Sequence, residues 1–260
     1  MPSQVDLYMF PHLGLGDAII VNGLVRHFCE QYNNLVLFCS NCYYENIKWF
    51  YRDLKNLTLM PFGSNPTKCT MEDAYQIRNY IQSNNLQDKV IYFGFEMLDD
   101  IHKRTNCGLH QGFYKSCGFD PFLRFDNFYY ERNHEYENYV YEKLNPTNEK
   151  YIFVIDDSNH HLGNFIIDNK RIQSEYKIIK YNKELNYNDD RFLMFNYYKI
   201  LENAEEIHTL ETAFFEFMQL IKIPKPKIYV HSYLKKYMMF EQDWNFFLSK
   251  HTNNYTFLNS

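Results

Sequence analysis

The chain has no apolar run long enough to cross a bilayer, and its opening Met1-Pro2-Ser3-Gln4 carries neither the basic nor the apolar region of a secretory signal. These absences predict a cytoplasmic protein without a transmembrane segment. Six cysteines in 260 residues, at positions 29, 39, 42, 69, 107 and 117, are too few and too irregularly spaced for a disulfide framework. Cys39-Ser40-Asn41-Cys42 has the spacing of half a zinc site, but no second close pair follows it, and the thiols read more simply as small core hydrophobes. A net charge of −5 offers no basic field of the kind that nonspecific nucleic-acid binding requires. No G-x-x-x-x-G-K-[ST], H-E-x-x-H or G-x-S-x-G occurs, so a P-loop, a zinc hydrolase and an α/β-hydrolase elbow all lack their signatures.

What is present is a globular composition, 45% hydrophobic and 19% aromatic, which argues against disorder. The 24 Tyr and 23 Phe accompany many Asn, Lys and Ile, as an AT-rich genome would encode, and are discounted as stacking platforms. The length suits one large domain or two of about 130 residues. Strand and helix patterns alternate. Val5 to Phe10 is a short apolar strand, and after a glycine-bearing turn Ala18 to Tyr32 is helical. Strands follow at 35–38, 57–60 and 89–93, with helices at 43–54, 71–84 and 109–117, the last ending at Gly118. Asn145-Pro146-Thr147-Asn148 is the clearest breaker cluster near the centre, and it divides an amino-terminal domain, 1–145, from a carboxyl-terminal one, 146–260. The second half repeats the alternation, with strands at 151–155, 176–181, 206–208 and 227–230, helices at 191–203 and 210–221, and a final helix at about 234–250. The predicted fold is α/β, two Rossmann-like half-domains with parallel sheets covered on both faces.

Ligands of open α/β domains bind beyond the carboxyl ends of the strands, which puts Pro11-His12-Leu13-Gly14-Leu15-Gly16-Asp17 at the mouth of a cleft. Gly14 and Gly16 suit a tight turn, and Asp17 opens the helix. The dinucleotide fingerprint is broken, because Ile19 stands where its third glycine belongs. The run Gly14-Leu15-Gly16-Asp17-Ala18-Ile19-Ile20-Val21-Asn22-Gly23-Leu24-Val25-Arg26 instead resembles the first strand-loop-helix of GT-B glycosyltransferases, especially the ADP-heptose transferase family. That resemblance implies two halves facing a central cleft, with Asp17 as the catalytic base. It also implies a final helix that crosses back over the first domain.

The second half supports it through Tyr198 to Phe214, which looks like the helix, strand and helix of the donor-nucleotide half of such enzymes. There Thr209 would be the N-cap, and the N–H groups near Glu211 and Thr212 would stabilise a departing diphosphate. The family usually carries Asp-Thr-Gly where this chain has Glu211-Thr212-Ala213. Ser158 and His160, in the polar cluster that follows the strand at 151–155, are further donor-binding candidates, and Gly163 suits the reversal of the chain there. Arg26, Lys103, Arg104, Lys222, Lys225 and Lys227 are candidate phosphate cations, and the doublets Asp99-Asp100 and Asp189-Asp190 read as loop charges. Without a D-x-D motif the metal-dependent GT-A class is disfavoured, so the implied reaction is an inverting transfer from a nucleotide-sugar donor to a glycan or other hydroxyl acceptor, with no cofactor and no metal. The main rival is a noncatalytic sugar- or nucleotide-binding module, and a Rossmann-type oxidoreductase or nucleotide-sugar modifying enzyme is a weaker enzymatic one.

Overall fold

A computed structural model describes residues 5–94, 107–160, 163–168, 172, 175–182, 184–185, 189–232 and 253–259. They divide into two compact units, one up to Glu131 and the other from Arg132 onward. Both units are α/β and each is built on an all-parallel sheet, in keeping with a Rossmann-like reading. Among the described residues no helix is long and apolar enough to cross a membrane.

The first unit contains β1 (Leu7–Pro11), β2 (Leu35–Ser40), β3 (Leu57–Phe62) and β4 (Val90–Phe93), in the order β3-β2-β1-β4. β2 reads Leu-Val-Leu-Phe-Cys-Ser and is buried along its whole length, as a parallel strand covered on both faces must be. On one face Tyr8, Phe10, Val36 and Phe38 pack against Ala74, Ile77 and Ile81 of α4 (Met71–Ser83). Those three recur at near-helical spacing, so one stripe of α4 meets the sheet. The other side of β2 and β3 is covered by α3 (Tyr44–Phe50).

The helix expected from Ala18 to Tyr32 is two helices, α1 (Leu15–Ile20) and α2 (Asn22–Gln31), separated at Val21. The break has identifiable causes. Gly23 lies against the carbonyl of Leu123 in α6 (Leu123–Asp126) so closely that a Cβ would stand 2.3 Å from that oxygen. The hydroxyl of Tyr51 donates to the Ala18 carbonyl at 3.1 Å, and that of Tyr114, in α5 (Leu109–Ser116), donates to the Ile20 carbonyl at 2.6 Å. Buried tyrosines thus serve two carbonyls of α1 just ahead of the break, where the chain turns onto α6.

The division between units falls ahead of the Asn145–Asn148 breaker cluster because α7 (His134–Leu144) packs against elements of the second unit. Arg132 Nε donates to the buried Glu137 at 2.8 Å, and its guanidinium lies 3.6 Å from the centre of the Tyr198 ring. Asn133 caps α7 by accepting from Tyr136 N at 3.0 Å. The chain is therefore already committed to the second unit by Arg132, and Asn145 marks only the end of a helix.

That unit has β5 (Tyr151–Ile155), β8 (Lys177–Lys180), β9 (Glu206–Leu210), β10 (Lys227–Ser232) and β11 (Asn254–Asn259), ordered β11-β10-β9-β5-β8, and a separate antiparallel ribbon of β6 (Asp157–His160) and β7 (Gly163–Phe165). Ile152, Val154 and Leu210 pack against Ile167 and Ile172. Phe153, Tyr181, Tyr197 and Phe214 form a ring cluster, with Tyr181 and Phe214 centroids 4.7 Å apart. The helix expected at 191–203 is α-helical only as α8 (Tyr198–Asn203), preceded by 3₁₀ turns at Asp190–Phe192 and Met194–Tyr197. Leu193 is extended, at φ −55° and ψ 145°, and Phe192 to Phe195 are all buried, so this stretch serves the core all round rather than along a helical stripe.

Two stability predictions follow from these buried polar groups. Tyr114→Phe strips the Ile20 carbonyl of its donor and should destabilise the protein by about 1–3 kcal/mol in urea unfolding, whereas Tyr75→Phe, at an exposed position, should be silent. Equal midpoints for the two variants would refute the role given to the hydroxyl. On β9, His208 Nδ1 lies 3.0 Å from His231 Nε2, and burial lowers the His208 imidazole from 6.5 to about 4. Stability that requires neutral His208 is complete above 6.5 and is lost as pH falls from 6.5 toward 4. His208→Gln should flatten that acid limb in a series of urea midpoints, and an unchanged limb would assign it to other groups.

Candidate functional site

In an open α/β sheet the ligand crevice lies where the strand order reverses. In the first unit that point falls between β1 and β4, because β2 and β3 lie on one side of β1 and β4 on the other. The two strand ends meet there without side-chain spacing. A Cβ on Gly94, the residue after β4, would stand 2.2 Å from His12 N and 2.5 Å from the Pro11 carbonyl carbon. His12 leaves β1 at this contact, its ring stacked on Phe113 at 6.3 Å and 29°.

His12 Nδ1 lies 2.6 Å from Asp17 Oδ2, and the two side chains are 23% and 17% exposed. Burial pulls the imidazole down, but the charge of Asp17 and its hydrogen bond outweigh burial, and His12 titrates above its ordinary value. Asp17 is held in the first turn of α1, whose N-cap is Gly14. A Cβ at Gly14 would come within 2.5 Å of Asp17 Oδ2. Its backbone is ordinary extended chain, at φ −71° and ψ 154°, so this glycine is required for room and not for handedness. Gly16 lies inside α1 and takes no part in the turn. His12 is the group that sequence reasoning passed over, although it stands in the same loop as Asp17, five residues earlier.

Beside this couple, at the same end of the sheet, Asp73 is buried and accepts from Thr70 Oγ1 at 2.8 Å and from Ser40 Oγ. Gly63, with φ +100°, passes where any Cβ would collide with that carboxylate at 2.6 Å. The knot joins the ends of β2 and β3 to the start of α4 and is structural. Cys39, at the end of β2, is buried, and burial pushes its thiol up to about 12, which fits a core residue. All six cysteines are free. Among the described residues no three His, Cys, Asp or Glu side chains are grouped to hold a metal ion.

The strands of the second sheet, numbered in chain order within that sheet, run 2-1-3-4-5, and the order reverses between β5 and β9. Asp156 follows β5 and accepts from Lys180 Nζ at 3.4 Å. Ser158 and His160 lie on β6, and Gly163 opens β7 opposite His160, so the polar cluster forms a ribbon instead of an open loop.

Thr209 is not a helix cap. It is buried in β9, in register with Ile155 on one side and Val230 on the other, and its hydroxyl donates to the Leu210 carbonyl at 3.0 Å. Pairing with β5 holds β9 through Thr209 and pairing with β10 through Leu210, and the N-cap falls at Thr212, at the head of α9 (Ala213–Met218). Glu211 and Thr212 therefore occupy the turn beyond β9, at the reversal point, with Glu211 buried.

The candidate cations fare poorly. Arg26 is tied to Asp53 by two bonds of 2.8 and 2.9 Å and to the Tyr129 carbonyl at 2.8 Å. Lys222, Lys225 and Lys227 precede or open β10, which puts them at the amino-terminal edge of the sheet, opposite the ligand edge. Lys225 donates to the Asn203 carbonyl at 2.7 Å. Asp189 is bound by Arg191, whose hydrogen bond holds its carboxyl below the ordinary value. Lys103, Arg104, Asp99, Asp100 and the final helix expected at 234–250 lie outside the described residues.

No protein-family model and no curated protein sequence matches the chain, so the function rests on the geometry and on the loop resemblance alone.

The packing of Asp17 over Gly14 has a direct test. Gly14→Ala should force the carboxylate away from His12, and the imidazole titration followed by NMR should move to lower pH as the favourable charge recedes. A titration identical to wild type would show that the carboxylate does not depend on the missing Cβ.

Proposed function

We propose that the chain is an inverting, metal-independent glycosyltransferase of GT-B architecture, with two Rossmann-like halves facing a central cleft. It would move a sugar from a nucleoside diphosphate donor to a hydroxyl of a glycan or other acceptor. The observation that carries this reading is the carboxylate–imidazole couple of Asp17 and His12 at the carboxyl end of β1. It stands on the loop whose sequence resembles the ADP-heptose transferases. In a direct displacement the acceptor hydroxyl loses its proton as its oxygen reaches the anomeric carbon, and a base at the mouth of the first unit serves that step. The departing diphosphate needs preorganised donors. In this reading they come from the second unit, at the head of α9 beyond Glu211, since the Thr212 N–H is donated to the Leu210 carbonyl at 2.9 Å and Thr209 is confined to the strand behind. The lack of a D-x-D motif is the reason for leaving a metal out of the mechanism.

A panel of nucleotide sugars read by thermal shift tests donor binding, since a ligand at a hundred times its dissociation constant stabilises the native state by about 2.7 kcal/mol. Transfer assays with the binding donor then test chemistry. Asp17→Asn should keep the melting temperature and donor binding but reduce transfer by roughly a hundred- to ten-thousand-fold. Near-normal turnover in a folded Asp17→Asn protein would sink the assignment. Donor binding without transfer in wild type would favour a binding module, and a flat panel would remove both readings.

A further inference from the structure

We infer that Cys42 and Cys69 are a redox modification site at the carboxyl edge of the first sheet, closed from two thiols to a disulfide by a low-molecular-weight disulfide such as oxidised glutathione. The inference is independent of the glycosyltransferase reading.

The Cys39-Ser40-Asn41-Cys42 spacing points first to Cys39 as the partner of Cys42, and strand geometry argues against it. Successive side chains of a strand face opposite ways. Phe38 packs with α4 and Ser40 reaches Asp73 of α4, so Cys39, between them, faces the other side of β2, where it is buried. Cys42 leaves that strand on the 3₁₀ turn Asn41–Tyr43, and its Sγ lies 3.3 Å from Ser40 Oγ, on the α4 side.

Cys69 reaches the same side from the other end of the sequence. It packs against the core cluster that holds Leu13, Phe38 and Ala74. Thr70, the next residue, donates to one oxygen of the Asp73 carboxylate at 2.8 Å while Ser40 donates to the other. One carboxylate therefore holds both chain segments that carry the thiols. The titration of Cys69 reflects the same neighbours: burial pushes it up to about 12, the Ser40 hydroxyl opposes that by hydrogen bonding, and the charges of Asp73 and Cys42 add to it. Cys42 and Cys69 are both partly exposed, so a small reagent can reach them.

In the exchange the Cys42 thiolate attacks one sulfur of oxidised glutathione, whose S–S bond breaks and whose electron pair leaves on the first glutathione. Cys42 attacks first because it stands on the turn leading into α3, where the Ser40 hydroxyl and its own backbone N–H oppose the effect of burial. The Cys69 thiolate then attacks Cys42 Sγ, the bond between them forms, and the second glutathione departs. The two protein thiols lose two electrons and two protons, and the reagent takes both to become two molecules of glutathione. Thiols raised by burial close slowly near neutrality and are poor leaving groups once bonded, so the pair is a latch and not a fast sensor.

The test uses the folded full chain and oxidised glutathione at about pH 9, where more thiolate is present. Peptide mapping without reduction should find Cys42 joined to Cys69. Cys69→Ser should accumulate a mixed disulfide with glutathione on Cys42, an adduct that the wild type passes through without accumulating. Closure should also raise the urea midpoint, because the new ring restrains the unfolded chain. A Cys39–Cys42 bond, a stable mixed disulfide on wild-type Cys42, or thiols that stay open while the urea-unfolded chain oxidises would each overturn the inference. So would a midpoint that fails to rise on closure, since a bond between thiols already held together must stabilise the fold.

Discussion

At the carboxyl end of β1 two main chains approach more closely than any side chain allows. Gly94 brings the end of β4 against Pro11 and His12, and Gly14 lets the Asp17 carboxylate fold back over the turn. Almost everything chemical in the first unit depends on these two missing Cβ atoms. The parallel pairing of β1 with β4 aims the strand ends at one place, and the glycines let the backbones close there. Phe113 then stacks on the imidazole ring and Asp17 meets its Nδ1. A side chain at Gly94 would collide with the backbone of Pro11 and His12, and one at Gly14 with the Asp17 carboxylate.

The second unit reaches a comparable edge by a different strand order. Its reversal point lies between β5 and β9, and the residues just beyond those strands are Asp156 and the Glu211-Thr212 pair. Here β9 is paired with β5 through Thr209 and with β10 through Leu210, the last residue before the turn. The buried His208–His231 contact joins β9 to β10, with His231 in register with Leu210, and bears on stability.

Much of this was legible in the residues. Apolar runs such as Leu35 to Phe38 and Tyr151 to Ile155 read as buried strands because both faces are covered, and alternation with helices foretold parallel sheets. The loop with Asp17 was visible from its glycines. What failed to show depends on partners distant in sequence. The break at Val21 is set by Leu123, Tyr51 and Tyr114, none of which a local window includes. Thr209 read as a cap because Thr before a helical pattern commonly is one, but Ile155 and Val230 hold it in a strand. His12 carried no motif of its own, and its importance appears only when the turn brings Asp17 back to it. Arg26 read as a free cation for want of any sign that Asp53 would claim it.

Among the described residues β8 ends one side of the second sheet, with the sequence Lys177-Ile178-Ile179-Lys180. An open sheet edge presents unpaired N–H and C=O groups to which another chain can add, and two adjacent isoleucines are good material for such growth. The lysines at its two ends are paired with Glu149 at 3.7 Å and Asp156 at 3.4 Å, and the strand is only four residues long. β3 protects an edge of the first sheet by other means, since Pro61 has no N–H to offer an incoming strand. The outer strands therefore carry a second kind of information besides the fold. A surface redesign that removed Lys177 and Lys180 for the sake of β propensity would break both ion pairs and leave this edge more open to strand addition.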